Sequence, residues 1–197
     1  MKIIDVEQRS LEWHAARLGV PSASNFKNVV TPTGQKSKQV DSYLNRLIAD
    51  VLTGSPEPHP GTDAMQRGTD LEPEARSYYE LIAGPVKEIG FCIHDDGFGC
   101  SPDGMVGEEG LLEIKCPLAH THVEYLRDGI LPSIYIPQVQ GQLLVLNRLW
   151  CDFLSYHPSM KPLLIRVYRD EKYIAILHQA LRELVEEVRF HVEAYKL

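Results

Sequence analysis

No stretch of this sequence approaches the ~18 consecutive apolar residues that a membrane-spanning helix requires. Its opening, Met1-Lys2-Ile3-Ile4-Asp5, also lacks the hydrophobic centre of a secretory signal. A soluble, cytoplasmic protein with no membrane partner is expected. Cysteine is scarce. Cys92, Cys100, Cys116 and Cys151 form no Cys-x-x-Cys pair, which argues against a zinc ribbon or a disulfide framework and favours small buried hydrophobes. Positive charge is outnumbered, with 20 Lys and Arg against 27 Asp and Glu and a formal net charge of −7. Proteins that grip nucleic acid by charge alone tend to be basic, because counterion release supplies their affinity. Tight free-standing binding to DNA is therefore not expected, although Lys27, Lys36, Lys38 and Arg46 form a local basic stretch interrupted only by Asp41. Linkers, repeats and low-complexity tracts are missing as well. With 197 residues and 44% hydrophobic content, the chain is read as one domain over 1–197.

What is present reads as α+β. Ser10 is placed to cap a short helix over Leu11–Leu18 that Gly19 stops, and Ser22 to cap another through about Val29. Thr31–Lys38 is a polar loop. Val40, Tyr43, Leu44, Leu47, Ile48, Val51 and Leu52 recur at helical spacing until Gly54. Pro56, Pro58 and Pro60 suggest an extended connection, and the next helix falls within Thr62–Ala83, with Pro73 as an N-terminal residue or a kink. Strands are expected at Pro85–His94, Phe98–Val106, Leu111–Lys115, Leu149–Tyr156 and Leu163–Tyr168. Helices are expected near Thr121–Arg127 and Pro137–Leu146, and from Asp170 to the end.

The chemistry concentrates in Ser101-Pro102-Asp103 and Glu113-Ile114-Lys115, joined by a glycine-bounded turn. A hairpin over this segment brings Asp103 near Glu113. Period-2 alternation puts Glu113 and Lys115 on one face while Leu112 and Ile114 point into the core. Two carboxylates with an ammonium beside them suit a hard divalent cation. Mg²⁺ takes one or two carboxylates, keeps several waters and accepts substrate phosphate oxygens. Asp103 and Glu113 are the candidate ligands, with the Ile114 carbonyl as a third. Lys115 would orient the attacking water, take up its proton, or stabilise charge on the phosphate. An exposed acid–lysine pair on a strand is the bland alternative.

Ser101-Pro102-Asp103-Gly104 followed by Leu112-Glu113-Ile114-Lys115-Cys116-Pro117 resembles the PD-(D/E)xK nuclease motif in its phage lambda-type exonuclease form, the YqaJ-like viral recombinase family. Trp13-His14, Arg17-Leu18-Gly19, Ala23-Ser24, Gly68, Leu71-Glu72, Ala75-Arg76, Gln138-Val139-Gln140 and Asp170–Tyr173 extend the resemblance over nearly the whole chain. It implies a restriction-endonuclease-like α/β/α arrangement with a central mixed sheet flanked by helices. It also implies an exonuclease using Mg²⁺, with Mn²⁺ as a substitute, that digests one strand of duplex DNA 5′→3′ from phosphorylated ends. The products would be mononucleotides and a 3′ single-stranded tail. A homotrimeric ring, a single-strand annealing partner, and a phage or prophage origin in a bacterial host come with it. A restriction- or repair-type endonuclease and an inactive DNA-binding scaffold are the rival readings.

The resemblance assigns roles that the residues alone leave open. Glu72, three residues after Thr69, reads as a capping-box glutamate or, by resemblance, as an acid that holds a metal or its water shell. Gln138 reads as a polar helix-face residue or as the family's active-site glutamine, positioning water with Lys115. Arg17, Ser24 and Ser101 match the family's 5′-phosphate pocket, where a guanidinium fork and helix-start amides favour an anion. The family has a further phosphate-binding arginine after Lys-Cys-Pro, where this chain has His120-Thr121-His122. Either histidine is a candidate replacement. A zinc site on that pair lacks a partner at usual spacing. Trp13 reads as a buried anchor for the first helix.

Overall fold

The computed structural model describes residues 1–56 and 62–196. Pro58 and Pro60 of the expected extended connection lie outside the described residues. Gly110-Leu-Leu-Glu-Ile-Lys115 is nearly continuous in buried residues, the pattern of a strand covered on both faces. It forms β6 (Gly110–Lys115), the middle of a five-stranded sheet in the order β2 (Val86–Lys87), β5 (Gly104–Val106), β6, β7 (Trp150–Ser155), β8 (Leu163–Tyr168). β6 and β7 are parallel, and every other pair is antiparallel. The expected mixed sheet with flanking helices is thus observed.

A parallel pair needs a crossover, supplied here by α4 (Ala119–Asp128) and α5 (Ile136–Leu146). α3 (Asp63–Ala83) covers one face of the sheet, with Ala75 and Tyr79 in a cluster with Leu112, Ile114 and Leu154. α5 and α6 (Glu171–Tyr195) cover the other, where Val139, Leu143 and Leu177 join Leu111 and Cys151 in the larger core. α2 (Val40–Thr53) contributes Tyr43, Leu44, Leu47 and Ile48 to that core. All four cysteines are buried with free thiols. Among the described residues, no helix is long and apolar enough to cross a membrane.

Two expected strands are each divided. Pro85–His94 becomes β2 and β3 (Phe91–Ile93), and Phe98–Val106 becomes β4 (Gly99–Cys100) and β5. β3 and β4 join β1 (Lys2–Ile4) in a separate three-stranded sheet. Both breaks fall at one place for a shared reason. Gly90 lies against the β1 segment so closely that a Cβ there would stand 2.4 Å from the Val6 carbonyl oxygen, and Pro102 has no N–H to continue a ladder. The Gln8 amide donates to the Ile89 carbonyl at 2.8 Å and to the Pro102 carbonyl at 3.0 Å, pinning the two crossing strands together. Asp103 is thereby set just before β5 begins.

The helix starts follow their caps with two corrections. Ser10 caps α1 (Leu11–Ala16) through Trp13 N–H, Thr62 caps α3 through Met65 N–H, and Asp170 caps α6. Ser22 makes no capping bond, and Ala23–Asn28 is a short 3₁₀ helix. Thr69 lies inside α3 with its hydroxyl donated to the Met65 carbonyl at 3.2 Å, which removes the capping-box role of Glu72. Pro73 is also interior to α3 rather than at its start.

Gly141 of α5 faces Phe26, and a Cβ at this position would stand 2.3 Å from the buried ring. Overpacking costs about 1–3 kcal/mol, against a helix-propensity gain of about 1 kcal/mol for alanine over glycine. Gly141→Ala is expected to destabilise the fold by about 1–2 kcal/mol, read as a lower urea midpoint at unchanged slope.

Candidate active site

Glu113 is only 1% exposed, and its carboxylate is gripped from three directions. Lys115, two residues along the same strand, places its ammonium against Oε1. α5 crosses this face of β6 and lowers two glutamines onto it, one helical turn apart. The Gln138 amide donates to Oε1 at 2.5 Å and the Gln142 amide to Oε2 at 2.6 Å. The carboxylate is acceptor-only, so both glutamines must present nitrogen. Gln142 Oε1 has no partner among the described residues, a polar group left unsatisfied so that its NH₂ can meet the acid. Oε1 is filled by two donors, while Oε2 keeps a lone pair free.

Asp103 is joined to this centre through the backbone. Its Oδ2 accepts the Ile114 N–H at 2.6 Å, and its own N–H donates to the Leu112 carbonyl at 3.1 Å. A strand residue presents N–H and C=O on the same edge, so the Ile114 carbonyl lies on the Asp103 side. Burial, reinforced by the charge of Glu113, holds the Asp103 carboxyl well above its ordinary pKa. For Lys115, burial alone would lower the value, but Glu113 and Asp103 outweigh it and raise it. Lys115 is an ammonium in this arrangement, and its charge lies 5.4 Å over the Tyr135 ring.

Asp103, Ile114 and Lys115 open onto a cleft of about 430 Å³ whose opposite wall is α3, with Gly68, Thr69 and Glu72. Glu72 faces this cleft but is already paired on both oxygens, with Arg9 on Oε2 and with Arg76 on Oε1 at 2.9 Å. Arg9 has a left-handed backbone, φ 71°, which few non-glycine residues adopt. It is a cleft residue that no sequence signal marked.

Arg17, Ser24 and Ser101 lie along one chain of contacts. The Trp13 indole N–H donates to Ser101 Oγ at 2.9 Å, and the Arg17 guanidinium stacks 3.9 Å over the Trp13 ring. Arg17 also donates to Ser22 Oγ at 3.2 Å, which stands 3.5 Å from Ser24 Oγ. Trp13 is half-buried and links the trio, so it is more than a core anchor. Ser22, Asn25 and Arg46 line the same pocket as Arg17; of these only Arg46 is marked in the sequence, as part of the basic stretch. The 3₁₀ turn bearing Ser24 is too short to supply helix-start amides, so the guanidinium and hydroxyls must supply any anion affinity.

His122 cannot replace an arginine. It is fully buried, its Nε2 donating to the Lys161 carbonyl at 2.9 Å and its Nδ1 accepting from Ser155 Oγ at 2.7 Å. Both ring nitrogens are spoken for, which also excludes zinc on the His120–His122 pair. His120 is exposed on α4.

Residues 12–148 match the family described as YqaJ-like viral recombinase domain. An alkaline exonuclease from Laribacter hongkongensis has a similar structure, with 39% identity, a TM-score of 0.86 and coverage of 94% of this chain and 95% of that one. The same enzyme in complex with dAMP gives 38% identity and a TM-score of 0.85 at equal coverage. A phage-related exonuclease from Haemophilus somnus 129PT shares the fold at 13% identity and a TM-score of 0.71, covering 89% and 96%. A search of curated proteins returns no match.

The two histidines are expected to separate by stability. His122→Ala removes two buried hydrogen bonds and should cost about 2–3 kcal/mol in chemical unfolding. His120→Ala should leave the midpoint unchanged.

Proposed function

The chain belongs to the YqaJ-like viral recombinase family, and from that premise we propose that it is a metal-dependent deoxyribonuclease that digests linear duplex DNA from its ends. The reading rests on one observation above all: Lys115, Gln138 and Gln142 converge on buried Glu113, with Asp103 one backbone hydrogen bond away. The donor set fits a hard divalent ion. Two carboxylates and a backbone carbonyl are all oxygen, and a cation would offset the burial and the Glu113 charge that together hold Asp103 above its ordinary pKa. Asp103, Glu113 through Oε2, and the Ile114 carbonyl would hold Mg²⁺, or Mn²⁺ in its place. Glu72 would act on the ion's water shell from across the cleft. The ion, when bound, supplies Lewis-acid stabilisation of phosphate charge.

The protein's own groups do the rest. As an ammonium, Lys115 donates to the attacking water or to a phosphate oxygen and offsets the developing charge. Gln138, on the same oxygen of Glu113, fixes both partners and positions the water with Lys115. Arg17, with Ser24 and Ser101, would receive a terminal 5′-phosphate, since a desolvated guanidinium without a carboxylate partner among the described residues gains most from an anion. Arg17 is tied to the Ser101-Pro102-Asp103 segment through Trp13, which supports end-directed 5′→3′ cleavage over internal cutting. Release of mononucleotides is supported by the dAMP complex of the Laribacter enzyme. A homotrimeric ring around DNA, an annealing protein that takes the 3′ tail, and a phage or prophage origin in the cytoplasm of a bacterial host complete the proposal.

Linear duplex labelled at the 5′ or the 3′ end, digested in Mg²⁺, is expected to release the 5′ label first as mononucleotide. A covalently closed circle should stay intact, and its cleavage would indicate an endonuclease. Lys115→Ala should slow hydrolysis by at least about 100-fold; equal rates would remove the mechanism. Arg17→Ala should slow initiation on 5′-phosphorylated ends about tenfold or more while later steps continue at the wild-type rate. Asp103→Asn should abolish hydrolysis and yet raise the melting temperature in EDTA. An acid whose folded pKa is raised binds its proton more tightly folded than unfolded, so its ionised form destabilises the fold at neutral pH. A fall in melting temperature would show that the Asp103 carboxylate is compensated.

A further inference from the structure

A second cluster of ligating side chains lies outside the nuclease centre, between the β3–β4 turn and α6. His94 directly follows β3, Asp96 is in the turn, and His178 is on α6. One nitrogen of each imidazole and one oxygen of Asp96 lie within 4.8 Å of one another, and this is the one such group among the described residues. The geometry has a single focus. His178 Nε2 meets Asp96 Oδ2 at 2.6 Å, and His94 Nδ1 stands 3.3 Å from the same oxygen.

Both rings are fixed by packing that has nothing to do with the carboxylate. His94 stacks on Phe98 with centroids 4.6 Å apart and planes at 6°. His178 meets both rings edge-on, at 5.3 Å from His94 and 5.7 Å from Phe98. Phe98 is fully buried, so the platform is rigid. His94 Nδ1 accepts the Asp96 backbone N–H at 3.2 Å, so this nitrogen is unprotonated, and its lone pair turns to an ion only when that long bond opens. The three donors are half-buried, so solvent can reach a fourth position.

We propose that His94, Asp96 and His178 form a second metal site for a borderline transition ion such as Zn²⁺, clamping the β3–β4 turn to α6. The ligand set decides the class of ion. Two imidazoles and one carboxylate are preferred by zinc and its neighbours over Mg²⁺, which takes oxygen. Arg182, one turn further along α6, adds positive charge near Asp96, so the ion must be held by nitrogen coordination as much as by charge. At Zn–N and Zn–O distances near 2.1 Å, tetrahedral ligand atoms stand about 3.4 Å apart. The pair at 3.3 Å already fits. The 2.6 Å pair is a hydrogen bond that opens when the ring proton of His178 resides on Nδ1, which leaves the ring neutral and frees the Nε2 lone pair for the ion.

The test uses EDTA-stripped full-length protein carrying Asp103→Asn, which removes a ligand of the nuclease centre. Calorimetric titration with ZnCl₂ should give one binding event, and Zn²⁺ should raise the melting temperature where Mg²⁺ does not. Co²⁺ should give the visible absorption bands of a four-coordinate site. Adding His94→Gln or His178→Gln should weaken Zn²⁺ binding by about tenfold or more and abolish the bands. Circular dichroism checks each variant, and Asp96→Asn replaces any that fails to fold. Unchanged Zn²⁺ affinity in the histidine variants, or no binding by the folded parent at about 100 µM Zn²⁺, overturns the site.

Discussion

A carboxylate that is almost wholly removed from water must be compensated, and the compensation of Glu113 organises the centre of this protein. Taking an ionised acid out of water costs several kcal/mol unless charge and hydrogen bonds replace its hydration. Lys115 supplies the charge and Gln138 and Gln142 supply the bonds. To do so, α5 must cross β6 with its Gln138–Gln142 face inward, and α5 can do that only because the β6–β7 crossover packs it on that face. Gln140, on the same helix, accepts the Asp170 N–H and donates to the Tyr168 carbonyl, fixing α5 against the start of α6.

Arrangements that place an uncompensated polar atom and a high-pKa carboxyl on either side of one buried acid are not what stability alone would select. Asp103 would be steadier as an amide, and Gln142 steadier with a partner for its carbonyl. Both departures bear on the same few atoms around Glu113. This concentration of local conflict, together with the left-handed Arg9, distinguishes the cleft from the better satisfied Asp152, whose carboxylate takes a bidentate Arg166 and the Tyr79 hydroxyl.

The α+β class, the mixed sheet and the family were legible in the sequence because their signals are local: a short hairpin, period-2 alternation and motifs in order. Asp103, Glu113 and Lys115 come together as the hairpin requires. Resemblance alone marks Gln138, while Gln142 follows from it only through the one-turn spacing that places both amides on one helix face. Other features were not local. The division of the strands at 85–94 and 98–106 depends on Gln8, more than eighty residues from Ile89 along the chain. From the sequence Trp13 reads as an anchor, because nothing in its neighbourhood announces Ser101. The sequence leaves His120 and His122 as equal candidates for the missing arginine because it does not reveal that Ser155 and Lys161 enclose His122.

Gln8 and Arg9 are neighbours in the chain, yet one staples the corner where the sheets part and the other reaches across to Glu72. The family match begins only at residue 12 and ends at 148, before β7, β8 and α6. A fragment trimmed to that span would retain both acids and the lysine. It would forfeit the buttress behind Asp103, the arginine facing α3 and the parallel neighbour of β6. Sequence kinship and architectural self-sufficiency therefore have different borders here, and the outer segments are as much a part of the centre as the motif itself.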